Sequence, residues 1–222
     1  MGRRPINNIF VQAIFLTLVA LLPITNPFST APLFVSLTAG WDERSKRRQA
    51  LMGCVYAFFI LVAFLLLGSV IVDFFGISIP GIRTAGGLII SFVGFRMLFP
   101  APPPVALPDA DLPTGPRDIA FTPIAMPSLA GPGSISVVLS SAEHVRSIRP
   151  ADWQIIYIAV VVGMILTFIF AYFVLRAASA MVRFLGAGGI DAMTRIFGFL
   201  LICIGMQFLL TGIADFYGIV RA

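Results

Sequence analysis

Two short polar stretches interrupt long apolar segments, and both combine helix-breaking residues with hydrogen-bonding side chains. They are NPFST at 26–30 and GPGS at 131–134. Where proline or glycine breaks a helix, backbone N–H and C=O groups lose their helical partners and can bind a ligand. The start of the half-helix that follows favours a negative charge such as a carboxylate. The predicted ligand-binding residues are Asn26, Pro27, Ser29, Thr30, Gly131, Pro132, Gly133 and Ser134.

A purely structural interpretation competes with this one, because proline also kinks membrane helices that simply pack together. For a single interrupted segment, packing would be the better explanation. Two interrupted segments with hydroxyl side chains beside both breaks favour binding instead.

Two arginines, Arg83 and Arg195, lie in apolar stretches, where arginine is costly and often functional. Both also lie near the predicted start of a helix, within reach of the membrane surface by snorkelling. They are therefore either functional charges or interfacial anchors. Arg96, at the end of its helix, is predicted to be an anchor, and Asp191 and Asp215 to be solvated or helix-capping.

Catalytic and metal chemistry have little support in the sequence. The single histidine is His144, and the two cysteines, Cys54 and Cys203, each lie inside an apolar run. A nucleophile with its base, or a metal site of histidines and acids, requires more than this. We therefore expect no enzyme activity, no metal and no cofactor.

Composition places the chain in a membrane. Of its 222 residues, 59% are hydrophobic and 11% are charged, whereas soluble domains carry about 25% charged residues. A helix that crosses a bilayer needs about 20 mostly apolar residues. The net charge of +5 comes from arginines in short loops, which indicates membrane topology rather than nucleic-acid binding. Six apolar stretches occur, at 9–38, 49–73, 79–99, 119–142, 153–175 and 192–214.

The first and fourth stretches carry the breaks, and each is followed by two plain stretches. Aligning 26–37 with 131–142 pairs Pro27 with Pro132 and Ser29 with Ser134. Three spans per half invert the second half relative to the first, and paired breaks of this kind point to a transporter's binding site. The predicted fold is an all-α membrane protein with six transmembrane segments in an inverted repeat. Its parts are 1–100, a proline-rich loop at 101–117, and 118–222.

Orientation follows from the distribution of lysine and arginine. In a six-span topology, nine of the 15 such residues fall on one side of the membrane. This predicts that the 39–48 loop is cytoplasmic and that both termini lie outside. The N-terminus has two arginines before an apolar run, like a signal peptide, but no small-residue cleavage site follows. It is therefore predicted to be the first membrane helix.

Four stretches, in order, resemble signatures of the MarC family of integral membrane proteins. They are NPFSTAPLFVSLT (26–38), FFGISIPGIRTAGGLIISFVGFRML (74–98), PIAMPSLAGPGSISVVL (123–139) and RIFGFLLICIGMQFLLTGI (195–213). The resemblance implies a six-helix protein of the bacterial inner membrane with both termini outside. Members of the SnatA type transport small neutral amino acids such as glycine and alanine. The resemblance therefore implies a small amino acid as substrate, with a proton or a sodium ion as the candidates for coupling.

Three functions remain to be weighed. The first is secondary transport of a small zwitterion, and the second is a non-transporting membrane partner or assembly subunit. The paired breaks favour transport, because a scaffold has no need of them. A passive channel is the least favoured, because no ring of acids or repeated filter motif is visible.

Overall fold

The computed structural model describes residues 6–99, 118–148 and 153–219. No strand occurs in these ranges, so the protein is all-helical as predicted; the predicted loop at 101–117 lies outside them. A segment with wide helical turns, Ala120–Leu129, precedes α5. The helices are α1 (Ile6–Thr25), α2 (Pro27–Leu37), α3 (Glu43–Phe75), α4 (Ile79–Leu98), α5 (Pro132–Ile148), α6 (Trp153–Arg176) and α7 (Ala178–Phe216).

Four stretches of helix are long and apolar enough to cross a membrane. The pair Ile9–Thr25 and Pro27–Leu37 bends by 43° and adds a fifth if it is one broken span. The predicted span at 119–142 is divided between Ala120–Leu129 and α5, whose apolar part, Pro132–Ala142, is too short to cross alone. The described residues thus contain four or five candidate spans where the sequence predicts six. The four are Glu43–Gly68, Ile79–Leu98, Trp153–Arg176 and Gly188–Phe216.

Large apolar side chains cover the outside of the bundle. Phe15, Phe59 and Phe92 are 64%, 61% and 62% exposed. So large an apolar surface would favour aggregation in water, whereas lipid tails are as apolar as these side chains. The exposure of these rings is therefore what a membrane-embedded bundle requires.

α4 and α7 pack together along a row of small residues. A Cβ on Gly94 would lie 2.6 Å from the Gly198 carbonyl oxygen, and Gly205 faces Ser91 in the same way. Glycine and serine at such a contact let two membrane helices approach closely. Since Ser91 precedes Gly94 while Gly205 follows Gly198, the two helices run antiparallel.

The two interrupted segments pack against plain helices through glycines. α1 packs on α6, where Gly163 leaves room for Thr17, and Ala120–Leu129 packs on α3, where Gly53 leaves room for Ile124. A Cβ on Gly53 would lie 2.5 Å from the Ile124 side chain. Both broken segments therefore pack closely against another helix on one side.

Two helices extend beyond the apolar stretches that predict them. α3 begins at Glu43 because Asp42 caps it, its carboxylate accepting a hydrogen bond from the Ser45 N–H over 3.0 Å. α7 begins at Ala178, so residues before the apolar stretch 192–214 are also helical. Gly186 interrupts α7 with φ 66° and ψ 178°, a conformation that favours glycine.

Candidate functional site

The first break lies at Asn26, where the sequence predicts it, between the end of α1 at Thr25 and the start of α2 at Pro27. Asn26 has φ 33° and ψ 68°, a left-handed conformation that asparagine adopts more readily than most residues. Pro27 then suits the first position of a helix, since it has no N–H to leave unpaired. The Asn26 carboxamide oxygen caps α2 by accepting a hydrogen bond from the Ser29 N–H over 3.3 Å.

The polar groups beside this break divide into donors and acceptors. The Ser29 and Thr30 hydroxyls donate to the Asn26 carbonyl oxygen over 3.1 and 3.3 Å. Their hydroxyl protons are therefore used in these hydrogen bonds, while the oxygen lone pairs can still accept a hydrogen bond from a ligand. The Asn26 amide nitrogen donates over 3.5 Å to the sulfur of Met97, which is a weak acceptor. Because Asn26 is only 4% exposed, a ligand oxygen would satisfy this amide better than the thioether does.

The second break ends the irregular segment Ala120–Leu129. Thr122 and Met126 have extended backbone angles within it. The Ala130 N–H donates five residues back, to the Ala125 carbonyl oxygen over 2.8 Å, which makes the turn wider than in an α-helix. Prolines at 123 and 127 explain why a regular helix does not form here.

α5 begins immediately after Gly131, with Pro132 as its first residue. The Ser134 hydroxyl is buried and donates to the Leu129 carbonyl oxygen over 3.3 Å. The N–H groups of Gly133 and Ser134 have no partner further back in the helix, because they belong to its first turn. The second break therefore presents the positive end of a half-helix, as the first does.

Both breaks open onto one cavity of about 360 Å³, called here the Asn26 cavity. Pro27 is buried but does not line it. Seven of the eight predicted binding residues therefore lie together, although Asn26 and Gly131 are 105 positions apart in the sequence. These seven are Asn26, Ser29, Thr30, Gly131, Pro132, Gly133 and Ser134.

Arg96, which the sequence predicts to be an interfacial anchor, also lines the Asn26 cavity. Among the described residues on this wall, it alone is charged. Its side chain is exposed, and it makes no ion pair within the described ranges. A free guanidinium and two helix starts give the cavity a positive potential that favours an anionic group.

Ile24 and Ile90 meet at Gly133, on the wall of the same cavity. A Cβ on Gly133 would lie 2.9 Å from Ile90 Cγ1 and 3.3 Å from Ile24 Cγ2. The start of α5 therefore packs against isoleucines from α1 and α4, and only a hydrogen on Gly133 leaves room for both.

A second cavity of about 490 Å³, called here the Arg83 cavity, lies among α1, α5, α6 and α7. Arg83 reaches it from α4 and donates to the Ser140 hydroxyl over 2.9 Å. Its guanidinium also forms an ion pair with Asp215, whose side chain is 37% exposed, so Asp215 is paired as well as solvated. The Arg83 side chain is 13% exposed, so Arg83 is the shielded partner of this pair.

Arg195 lines neither cavity. It forms an ion pair of 2.8 Å with Asp191 in the same helix and donates to the Leu98 carbonyl oxygen over 3.4 Å. The two side chains of this pair are 48% and 51% exposed, so the pair contributes little to stability. The two predicted functional charges thus have different surroundings, and Arg83 alone borders a cavity.

Comparison with protein families matches residues 11–217 to the MarC family, whose members are described as MarC family integral membrane proteins. The chain belongs to the MarC family. It is similar to proteins named UPF0056 inner membrane protein MarC from Escherichia coli K12 and from Shigella flexneri. Each is 44% identical over 213 residues, which cover 92% of this chain and 95% of the relative. No solved structure matches the chain.

The family and the apolar helices together identify a multi-pass inner-membrane protein. In this MarC-family chain, sequence reasoning did not assign Arg96 and Met97 to the cavity. The sequence shows Arg96 as a charged residue at the end of an apolar helix, but an interfacial anchor has the same pattern. Met97 gave no signal, because methionine is common in apolar helices.

Proposed function

We propose that this protein is a secondary transporter of small neutral amino acids, such as glycine and alanine, and that the Asn26 cavity binds the substrate. The observation that carries the proposal is that residues from both helix breaks line this one cavity. Irregular backbone inside a membrane is tolerated where it is buried in protein or lines a water-filled cavity. Ligand binding gives a reason for two such breaks to meet.

The chemistry of the wall suits a zwitterion. The Asn26 amide, Arg96 and the starts of α2 and α5 offer donors and positive potential to a carboxylate. The Ser29 and Thr30 hydroxyls already donate their protons to the Asn26 carbonyl oxygen, so their lone pairs can accept hydrogen bonds from an ammonium group. Since the described wall has no acidic side chain, the carboxylate is expected to contribute more to affinity than the ammonium.

The size of the cavity favours a small substrate. Its volume of about 360 Å³ lies near the lower end of the range of about 300–1,000 Å³ for small-molecule sites. Ile24, Ile90 and Leu201 form apolar parts of the wall. Short apolar side chains such as hydrogen and methyl would fit beside them.

The proposed inverted repeat, 1–100 against 118–222, is supported by which elements touch. If α1 corresponds to Ala120–Leu129, and α2, α3 and α4 correspond to α5, α6 and α7, the most extensive contacts between these elements have counterparts. α1 packs on α6 as Ala120–Leu129 packs on α3, and α2 packs on α7 as α5 packs on α4. An inverted repeat would bring equivalent breaks together at the centre of the membrane.

The test is uptake of radiolabelled glycine and alanine by proteoliposomes that contain the purified protein, with and without proton or sodium gradients. The wild type should accumulate at least one substrate. Asn26→Gly keeps the left-handed backbone, removes the amide and should weaken substrate binding about tenfold. Ser36→Ala is the control, because Ser36 is exposed and lies outside the cavity. Wild-type transport by Asn26→Gly would contradict the site, and no transport of either substrate would favour a non-transporting membrane partner.

A further inference from the structure

The Asn26 and Arg83 cavities lie end to end along the same helices. On α1, residues 13–21 line the Arg83 cavity, and Ile24 and Asn26 line the Asn26 cavity. On α5 the order is reversed, with 132–134 on the Asn26 cavity and 137–145 on the Arg83 cavity. Since α1 and α5 meet both cavities in opposite order, the cavities follow one another along the helix axes.

α4 and α7 repeat this arrangement. On α4, Arg83 borders one cavity and 90–97 border the other. On α7, Leu201 borders the Asn26 cavity, whereas 207–211 border the Arg83 cavity. Four helices therefore pass from one cavity to the next.

The division between the cavities is thin and apolar. Leu21 and Ile24 lie on opposite sides of it, as do Val137 and Ser134. Three residues of helix span about 4.5 Å, so the barrier is about one turn thick where α1 and α5 cross it. Ile24 and Ile90 close over Gly133 at this level. A short apolar constriction of this kind excludes water and polar solutes until it widens.

We propose that the Arg83 cavity is the second half of the substrate pathway, and that Ile24 and Ile90, closed over Gly133, are the gate between its halves. This inference rests on the proposed function, since it assigns the gate of the same site. Thr17, Ser140 and Gln207 on the wall of the Arg83 cavity give a small zwitterion hydrogen-bonding partners beyond the gate. The Asn26 cavity then communicates with one side of the membrane and the Arg83 cavity with the other.

The first experiment measures the side from which each cavity is reached. Single cysteines replace Ser29 and Ser141 in a protein with Cys54→Ser and Cys203→Ser, since Ser29 lines the Asn26 cavity and Ser141 the Arg83 cavity. A membrane-impermeant thiol reagent is applied to right-side-out and inverted vesicles. We expect the two cysteines to react from opposite faces. Reaction from the same face, or no reaction at Ser141→Cys because a lipid chain fills the cavity, would overturn the proposal.

The second experiment opens the gate. Ile90→Ala shortens an apolar side chain that is 1% exposed at the barrier. In this background, Ser29→Cys should react about 50-fold faster from the Arg83 side, because about three methylene equivalents of apolar contact are lost. Ile158→Ala is the matched control, since Ile158 is 59% exposed and lines neither cavity. An unchanged rate in a folded Ile90→Ala protein would overturn the gate.

These measurements need no substrate, so they separate the two proposals. Failure of the labelling pattern in a protein that accumulates glycine would overturn the gate alone. The expected pattern in a protein that transports neither glycine nor alanine would support two cavities with a gate and count against the proposed substrate.

Discussion

Gly87 of α4 lies so close to Gly205 of α7 that a Cβ on Gly87 would be 2.5 Å from the Gly205 carbonyl oxygen. The obstructing atom belongs to the backbone, so no rotation of a side chain could relieve the clash. The two helices therefore approach as closely as their backbones allow. This contact sets the spacing between the helix that carries Arg83 and Arg96 and the helix that carries Asp215.

Gly87→Ala should destabilise the protein, because the added methyl group would push α4 and α7 apart. Overpacking of this kind costs about 1–3 kcal/mol, and thermal unfolding in detergent should show a lower midpoint. Gly188→Ala is the control in α7, since a Cβ there would have no neighbour within 4 Å. Equal midpoints for the two variants would contradict the close packing.

Asn26→Ala should be less stable than Asn26→Gly, although both remove the amide. Alanine in the left-handed conformation costs about 1–2 kcal/mol, and glycine adopts it without that cost. Both variants lose the cap on α2 equally, so the difference isolates the backbone at φ 33°. Unfolding midpoints measured side by side would test this, and a more stable alanine variant would mean that the break is not left-handed.

Arg96→Gln should weaken substrate binding about tenfold or more, because a charge-assisted hydrogen bond contributes about 1.5–3 kcal/mol. Arg96→Lys keeps the charge and should lose less. The concentration dependence of uptake is the measurement, with Arg195→Gln as the control because Arg195 lines neither cavity. An equal effect of Arg96→Gln and Arg195→Gln would assign Arg96 to the membrane surface instead.

The first turns of α3, which contain Arg44, Lys46, Arg47 and Arg48, should be cytoplasmic, because they hold the densest cluster of positive charge in the chain. Ser45→Cys, with Cys54 and Cys203 replaced, should react with an impermeant thiol reagent in inverted vesicles and not in intact cells. Labelling from outside intact cells would reverse the predicted orientation.

Sequence reasoning located both breaks because the signals are local. Pro27 after Asn26, and Pro132 between Gly131 and Gly133, cannot continue a preceding helix, whatever packs around them. The expectation that the two breaks lie close together came from the predicted repeat rather than from the breaks themselves. Each break could therefore be predicted from its own segment, without knowing which helices pack against it.

The parts that the sequence did not provide depend on contacts between distant residues. Arg96 and Met97 reach the site only because α4 passes it, and Asp215 is paired only because Arg83 lies opposite. The contact of Ile24 and Ile90 with Gly133 joins three helices. The wide turns of Ala120–Leu129 were not predicted, since proline removes a hydrogen bond without specifying what replaces it.

The glycine contacts between α4 and α7 join the first part of the chain directly to the last. A chain divided within 101–117 would keep all of these contacts. Two fragments expressed separately in one membrane are therefore expected to find each other and assemble, as two subunits of a dimer would. The interface would then replace the peptide bond as the link between the two parts.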